Sequence, residues 1–386
     1  MPELLSPSDE EPGKPDDGIA LCLSGGGYRA MVFHVGGLIR LNEVGLLKKL
    51  SRISSVSGGS ITAGALGLHW KDLGFDNNGR AANFDRVVAA VRKMASTSVD
   101  AGAIIGGILL PGTISDRVAA AYDEALFEGA TLADLPDDSA GEGPRFVINA
   151  TNVQTASLWR FSRPYMGDYQ VGLVDKPDVR LATAVAASSA FPPVLSPVEL
   201  TVNQPYANVP GARLTSSEFR RTVYLSDGGV YDNLGLETAH KRYKTLLVSD
   251  GGQKIAPEPE PADDWARHSI RVLDIVDNQV RSLRKRHLIE AYQKSERTGC
   301  FWGIRTDFRD YKLDDDPLGC TARNPKPLAE IPTRLQKMNS GEQERLINWG
   351  YAICDAALRR HFGADLQEEF GVTVTPPAGF PYSQGY

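Results

Sequence analysis

The chain lacks any pair of cysteines close enough to suggest a metal or redox motif. Cys22, Cys300, Cys320 and Cys354 are its four cysteines, widely spread among 386 residues. That spacing excludes a zinc ribbon or a CxxC redox site and predicts reduced thiols in a cytoplasmic protein. A surplus of basic residues is also missing. The 42 Lys and Arg stand against 48 Asp and Glu, for a formal charge of -6, so no nucleic-acid polymer is expected as a partner. Long apolar runs are absent too. "AGAIIGGILL", Ala101 to Leu110, reaches about half of the roughly 20 residues that span a bilayer. The opening "MPELLSPSDEEPGKPDDG" has neither the basic nor the apolar region of a signal peptide and reads as a flexible acidic tail over residues 1–17. No internal repeat is present.

What remains is globular. A hydrophobic content of 42% supports a large core, and scattered strand signals favour one elaborated domain over residues 18–386. "IALCL" (Ile19 to Leu23) is a short apolar run that ends in glycines. From Ala30 to Leu47, Val32, Val35, Leu38, Ile39 and Leu46 recur at helical spacing. The unit repeats at Ile53 to Val56, which is followed by "SGGSITAGALGLHW". Alternation of this kind predicts an α/β sheet. Further strands are expected at Arg145 to Ala150, Leu158 to Phe161, Thr222 to Leu225, Thr245 to Val248 and Phe301 to Arg305. A long helix beginning near His268 carries Val272, Ile275, Val276, Val280 and Leu283 on an apolar face.

Three glycine-rich stretches carry the chemistry. "LSGGGYRA" (Leu23 to Ala30) satisfies a dinucleotide spacing at Gly25, Gly27 and Ala30. That reading demands an acidic residue at the end of the next strand, and Ser54 to Ser57 stand there instead. "SVSGGS" places Ser57 on a strand-to-helix turn in a variant of the G-x-S-x-G nucleophile elbow, with Ser55 in the first glycine position. "SDGGVYDNLGLE" sets Asp227 just beyond a strand, where burial raises a carboxylate pKa toward the range of a general base. After Asp227 the chain offers His240, His268, His287 and His361 for a Ser-Asp-His order. None lies in a glycine-rich loop, and His34 reads as a packed residue.

Together, and in this order, these motifs and "AVAASSAFPPVLSPV" (Ala184 to Val198) resemble the patatin-like phospholipases and the catalytic domains of cytosolic phospholipases A2. The matching blocks run from about Ile19 to Glu237 and leave residues 252–386 without a motif. The resemblance implies a three-layer α/β/α fold with a central, mostly parallel sheet. It also implies a serine lipid acyl hydrolase with a Ser57–Asp227 dyad and no histidine, metal or cofactor. Under it the backbone of Gly25, Gly26, Gly27 and Gly58 forms an oxyanion hole. Arg29 either contacts a phospholipid phosphate or braces the loop.

The expected substrate is a phospholipid or another acyl-ester lipid, met in the cytoplasm or in transient contact with a membrane surface. "AGAIIGGILLPG" reads as core or as a lid over an acyl chain. The cations of "RSLRKRH" (Arg281 to His287) are a solvated helix face or meet an anionic headgroup. An acyltransferase or neutral-lipid esterase would use the same site, whereas a non-catalytic regulator would use the Gly25–Gly27 loop to hold a nucleotide or phosphate. A small-molecule activator is possible and its identity is not readable from the sequence.

Overall fold

The computed structural model describes residues 15–99, 113–207 and 211–386. "AGAIIGGILLPG" and residues 1–14 of the acidic tail lie outside the described residues. Asp16 and Asp17, assigned to that tail from sequence, already belong to the first strand, and the Asp16 N–H donates to the Arg242 carbonyl at 2.7 Å.

Among the described residues ten strands form one mixed sheet: β1 (Asp16–Leu23), β2 (Leu50–Val56), β3 (Arg145–Asn152), β4 (Ser157–Phe161), β5 (Tyr165–Asp168), β6 (Gly172–Asp175), β7 (Val198–Thr201), β8 (Thr222–Asp227), β9 (Tyr243–Asp250) and β10 (Thr298–Gly303). Along it the order is β10-β9-β1-β2-β3-β4-β5-β6, and β8 joins β3 and β7 off this path. The five strands from β10 to β3 are mutually parallel. Beyond β3 the pairing is antiparallel. The expected parallel character therefore belongs to the half that carries the glycine loop and the elbow.

Both faces of the parallel half are covered. Along β1, Ile19, Leu21 and Leu23 join the main core, while Ala20 and Cys22 join a second cluster with Leu288 and Phe301. This is the alternation a strand imposes. The helices that matter for the site are α1 (Gly27–Glu43), α2 (Gly58–His69), α3 (Leu181–Ser188), α4 (Trp265–Gln293) and α5 (Ser340–Ala357). α5 crosses α1 where Gly36 and Gly350 meet. A Cβ on Gly36 would overlap the Ile347 carbonyl, and one on Gly350 would overlap that of Phe33. The motif-free C-terminal region thus supplies a sheet strand, β10, and the helix that packs on the one leading out of the glycine loop.

Candidate active site

The sheet register brings the two motif ends together. β2 runs parallel to β3 as far as Val56, which is opposite Asn149. β8 runs antiparallel to β3 and ends with Asp227 opposite Ala150. The C-terminal ends of β2 and β8 therefore meet at neighbouring residues of one strand, and the residue after Val56 is Ser57. At that residue the chain turns into α2 with φ 51° and ψ −121°. A non-glycine residue with positive φ there costs about 1–3 kcal/mol, and the turn aims the serine away from the sheet.

Several hydroxyls hold the turn. The Ser57 N–H donates to Ser188 Oγ at 2.9 Å, and Ser188 Oγ donates to the Asn149 carbonyl at 2.7 Å. Ser60 Oγ lies 2.9 Å from Ser188 Oγ and donates to Ser55 Oγ at 3.0 Å. Ser55 has no positive φ, so the elbow has no need of a glycine there, and its side chain is absorbed into this network. Gly59 is required for close approach: an added Cβ would overlap the Leu23 carbonyl and lie 2.7 Å from that of Ser24. Gly59→Ala is expected to cost about 3 kcal/mol of stability, read as a shift in urea midpoint at unchanged slope.

Asp227 is 3% exposed. Burial pushes its pKa up to about 7, hydrogen bonds from the Gly229 N–H and the Ser57 hydroxyl draw it down, and Asp277 raises it further. The Gly229 N–H lies 2.7 Å from Asp227 Oδ1, and the Asp227 N–H donates to the Ala190 carbonyl at 2.9 Å. Ser57, Asp227 and the glycine loop share one cavity of about 530 Å³ that includes Gly26, Gly27 and Asn233. Its apolar wall is Phe191 to Leu195, and α4 adds Arg271, Asp274, Asp277, Asn278 and Arg281.

One expectation changes, at Gly25, and at Arg29 one of the two alternatives is selected. The Gly25 N–H, expected from sequence to receive an oxyanion, is engaged instead, donating to the Asn233 carbonyl at 3.0 Å. Among the described residues no acceptor holds the N–H of Gly26, Gly27 or Gly58; the last two open helices, where the first N–H groups lack intrahelical partners. Gly58 also packs on the backbone of Gly27. Arg29 braces the loop instead of facing a phosphate. It is fully buried, Nε and Nη2 donate to the Gly251 carbonyl at 3.1 and 2.9 Å, and Nη1 donates to that of Ile331. Arg29→Lys leaves at least one of these carbonyls unpaired and should lower stability by about 2 kcal/mol. A thermal melt measures that loss, while KM for phosphorylated and phosphate-free esters should change by the same factor.

No histidine lines this cavity among the described residues. His34 lies 2.7 Å from Ser249 Oγ and 2.9 Å from the Ser24 carbonyl, and burial presses its pKa to about 4. His240 is likewise lowered to about 4 by burial, and its ring packs against His287. Among the described residues no cluster of three or more His, Cys, Asp or Glu is placed to hold a metal ion. The "RSLRKRH" cations do not form one solvated face. Arg281 is buried, Arg284 pairs with Glu237 at 2.9 Å, and the Lys285 ammonium sits 4.1 Å from the Phe301 ring centroid. Sequence reading missed the pinning role of Ser188 and the bridging role of Asn233. Only the serine pair in "AASSAFPP" signals the first.

The chain belongs to the patatin-like phospholipase family, whose model matches residues 21–240. Among solved structures, human GIVD cytosolic phospholipase A2 superposes with a TM-score of 0.50 at 14% identity, covering 91% of this chain and 62% of that one. The same human enzyme in complex with methyl gamma-linolenyl fluorophosphonate gives 0.52 at 16%, covering 91% and 58%. The chain thus spans less than two thirds of that protein's length, and at this identity the likeness is one of fold. No curated protein sequence matches the chain.

Proposed function

We propose that the protein is a serine lipid acyl hydrolase of the phospholipase A or lysophospholipase type, working through Ser57 and Asp227. The observation that carries this reading is the meeting of a serine on a strained strand-to-helix turn with a buried carboxylate whose pKa lies at about 7. In the first step Asp227 takes the Ser57 hydroxyl proton as Oγ bonds to the acyl carbon, and the carbonyl electron pair moves onto oxygen. The N–H groups of Gly26, Gly27 and Gly58 receive that oxyanion; one such donor is worth about 3 kcal/mol in typical enzymes.

Collapse re-forms the carbonyl and breaks the ester bond, and Asp227 returns its proton to the departing alcohol. Water then attacks acyl-Ser57 with its proton passing to Asp227, and the proton is restored to Ser57 Oγ as the fatty acid leaves. The apolar wall from Phe191 to Leu195 suits an acyl chain. The convergence of loop, serine and carboxylate in one cavity supports acyl-ester chemistry over a loop that only holds a phosphate. All four cysteines are free and buried, which supports the cytoplasmic setting, and residues 18–386 act as one domain in this reading.

Fatty-acid release from diacyl and monoacyl phospholipids and from a neutral diacylglycerol tests the proposal. Release from a phospholipid is expected. No release from any of the three would overturn it.

A further inference from the structure

One face of α4 carries cations that the hydrolase reading leaves unused. Asn278, Arg281, Ser282 and Lys285 stand at positions i, i+3, i+4 and i+7, so the helix turns all four side chains the same way. Together with Lys254 and Arg305 they line a second cavity, of about 440 Å³. It lies beyond the C-terminal ends of β9 and β10, where Asp250 is opposite Gly303. β9 runs parallel to β1, and β1 to β2, so this is the same sheet edge that carries the glycine loop and Ser57. Ligands of open α/β sheets bind along that edge. Gly252, Lys254, Asn278 and Arg281 line both cavities, so the second adjoins the first.

The charge in this second cavity is unbalanced. Lys254, Arg281, Lys285 and Arg305 meet only two lining carboxylates, Asp250 and Asp310, and Asp250 Oδ1 already accepts the Gly252 N–H at 2.9 Å. Among the described residues none of the four cations is ion-paired with a carboxylate, whereas Arg284 on the same helix pairs with Glu237 at 2.9 Å. Arg281 is 8% exposed, and its Nη2 donates to the Gln253 carbonyl. Gly252 makes room for it, since a Cβ there would overlap Nη1. Lys285 rests on the Phe301 ring; burial lowers its pKa, Asp250 opposes that, and Arg281 lowers it further. Arg29 feels the same excess: burial lowers its pKa to about 10, Asp250 opposes, and Arg281 and Arg305 add to the fall. A buried cation without a counter-charge is costly. An anion entering this cavity removes that cost.

We infer that the second cavity is a binding site for a phosphate group, brought either by the substrate's own headgroup or by a free phosphorylated small molecule. The guanidinium forks of Arg281 and Arg305 suit paired phosphate oxygens, and Lys254 and Lys285 add point charges. Arg29, the cation of the glycine loop, is engaged with backbone carbonyls and leaves this role to them. The headgroup source rests on the acyl-ester hydrolase reading above; the charge of the cavity does not. In the shared wall, Arg281 and Lys254 are the cations that a headgroup phosphate a few bonds from the ester would meet.

Calorimetric titration of inorganic phosphate and of glycerol 3-phosphate at low salt tests the site in wild type, Ser57→Ala and the double variant Lys285→Gln/Arg305→Gln. Both altered residues line the second cavity and not the catalytic one. Wild type and Ser57→Ala should bind both probes, and the double variant should bind them at least about tenfold more weakly. If a thermal melt shows the double variant unfolded, Arg305→Gln alone, at an exposed residue, should still weaken binding about threefold. No binding of either probe by wild type, or equal binding by the folded variants, would overturn the inference. Kinetics assign the source. If the headgroup supplies the phosphate, glycerol 3-phosphate competes with a phospholipid substrate, and the double variant's KM for that phospholipid rises about tenfold relative to its KM for diacylglycerol. If a free ligand supplies it, glycerol 3-phosphate binds without competing and that ratio stays fixed. A wild type that binds both probes yet releases no fatty acid keeps the site and strikes the hydrolase reading. One that releases fatty acid and binds neither probe does the reverse.

Discussion

Ser57→Ala should abolish fatty-acid release, lowering kcat/KM by a factor on the order of 10⁵. The loss is that large because the elbow has no second nucleophile. Ser55 and Ser60 hydrogen-bond to each other, and Ser188 is occupied with the Ser57 N–H and the Asn149 carbonyl. None of the three lines the cavity. A companion variant separates chemistry from fold. Ser57 holds φ 51° without being glycine, so Ser57→Gly should be equally inactive yet more stable by about 1 kcal/mol in a denaturant titration. An inactive variant that is also destabilised would mean that the turn is not the strained element described here.

Asp227→Asn carries the second large effect, and its signature is double. Without a carboxylate to take the Ser57 proton, turnover should fall by about 10⁴-fold. The wild-type pH profile should show the same group: kcat/KM on a soluble ester rises with pH through about 7, where Asp227 ionises, and levels above it. The stability contribution of Asp227 should move the other way. Burial raises the folded-state pKa from the ordinary 3.8 to about 7, so between those values the folded protein keeps a proton that the unfolded chain releases. The Asp227 contribution to stability thus falls as pH rises through that window and is flat above it, while His34 and His240, both pressed to about 4 by burial, contribute in the opposite sense. The Asp227→Asn substitution would remove this cost, which reaches roughly 4 kcal/mol at the upper limit. The amide oxygen it introduces can still accept the Gly229 N–H. The melting temperature of Asp227→Asn should therefore exceed that of wild type by more at pH 8 than at pH 5, the histidine contribution being common to both. His240→Ala should leave activity intact, because His240 lies outside the cavity.

Local patterns were legible wherever a few adjacent residues decide the outcome. "IALCL" before glycines, "SVSGGS" at a strand end and "SDGG" after "TVYL" each mark the end of a strand of the sheet. Ser57 and Asp227 could be singled out for that reason. Partners far along the chain were not legible. Gly25 donates to Asn233, and Arg29 reaches Gly251 and Ile331. Nothing in "LSGGGYRA" says which N–H groups and which cation are already engaged. The strands β5, β6 and β7 are four residues each, too short to show a period. In α4 the period was clear and its direction was not: Val272, Ile275, Val276 and Leu283 are exposed, because spacing defines an apolar face without saying whether the chain covers it. The crossing of α1 and α5 depends on two single glycines, Gly36 and Gly350, a relation that no window along the chain contains.

The central claim is that Ser57 is the nucleophile and Asp227 its base, and covalent labelling tests it most directly. The protein is treated with a lipid-like fluorophosphonate and the adduct is located by peptide mass spectrometry across a pH series. The expected result is a single adduct on Ser57, forming faster as pH rises through about 7 and lost in Asp227→Asn. An adduct on another residue, or labelling of Ser57→Ala at the wild-type rate, would contradict the account.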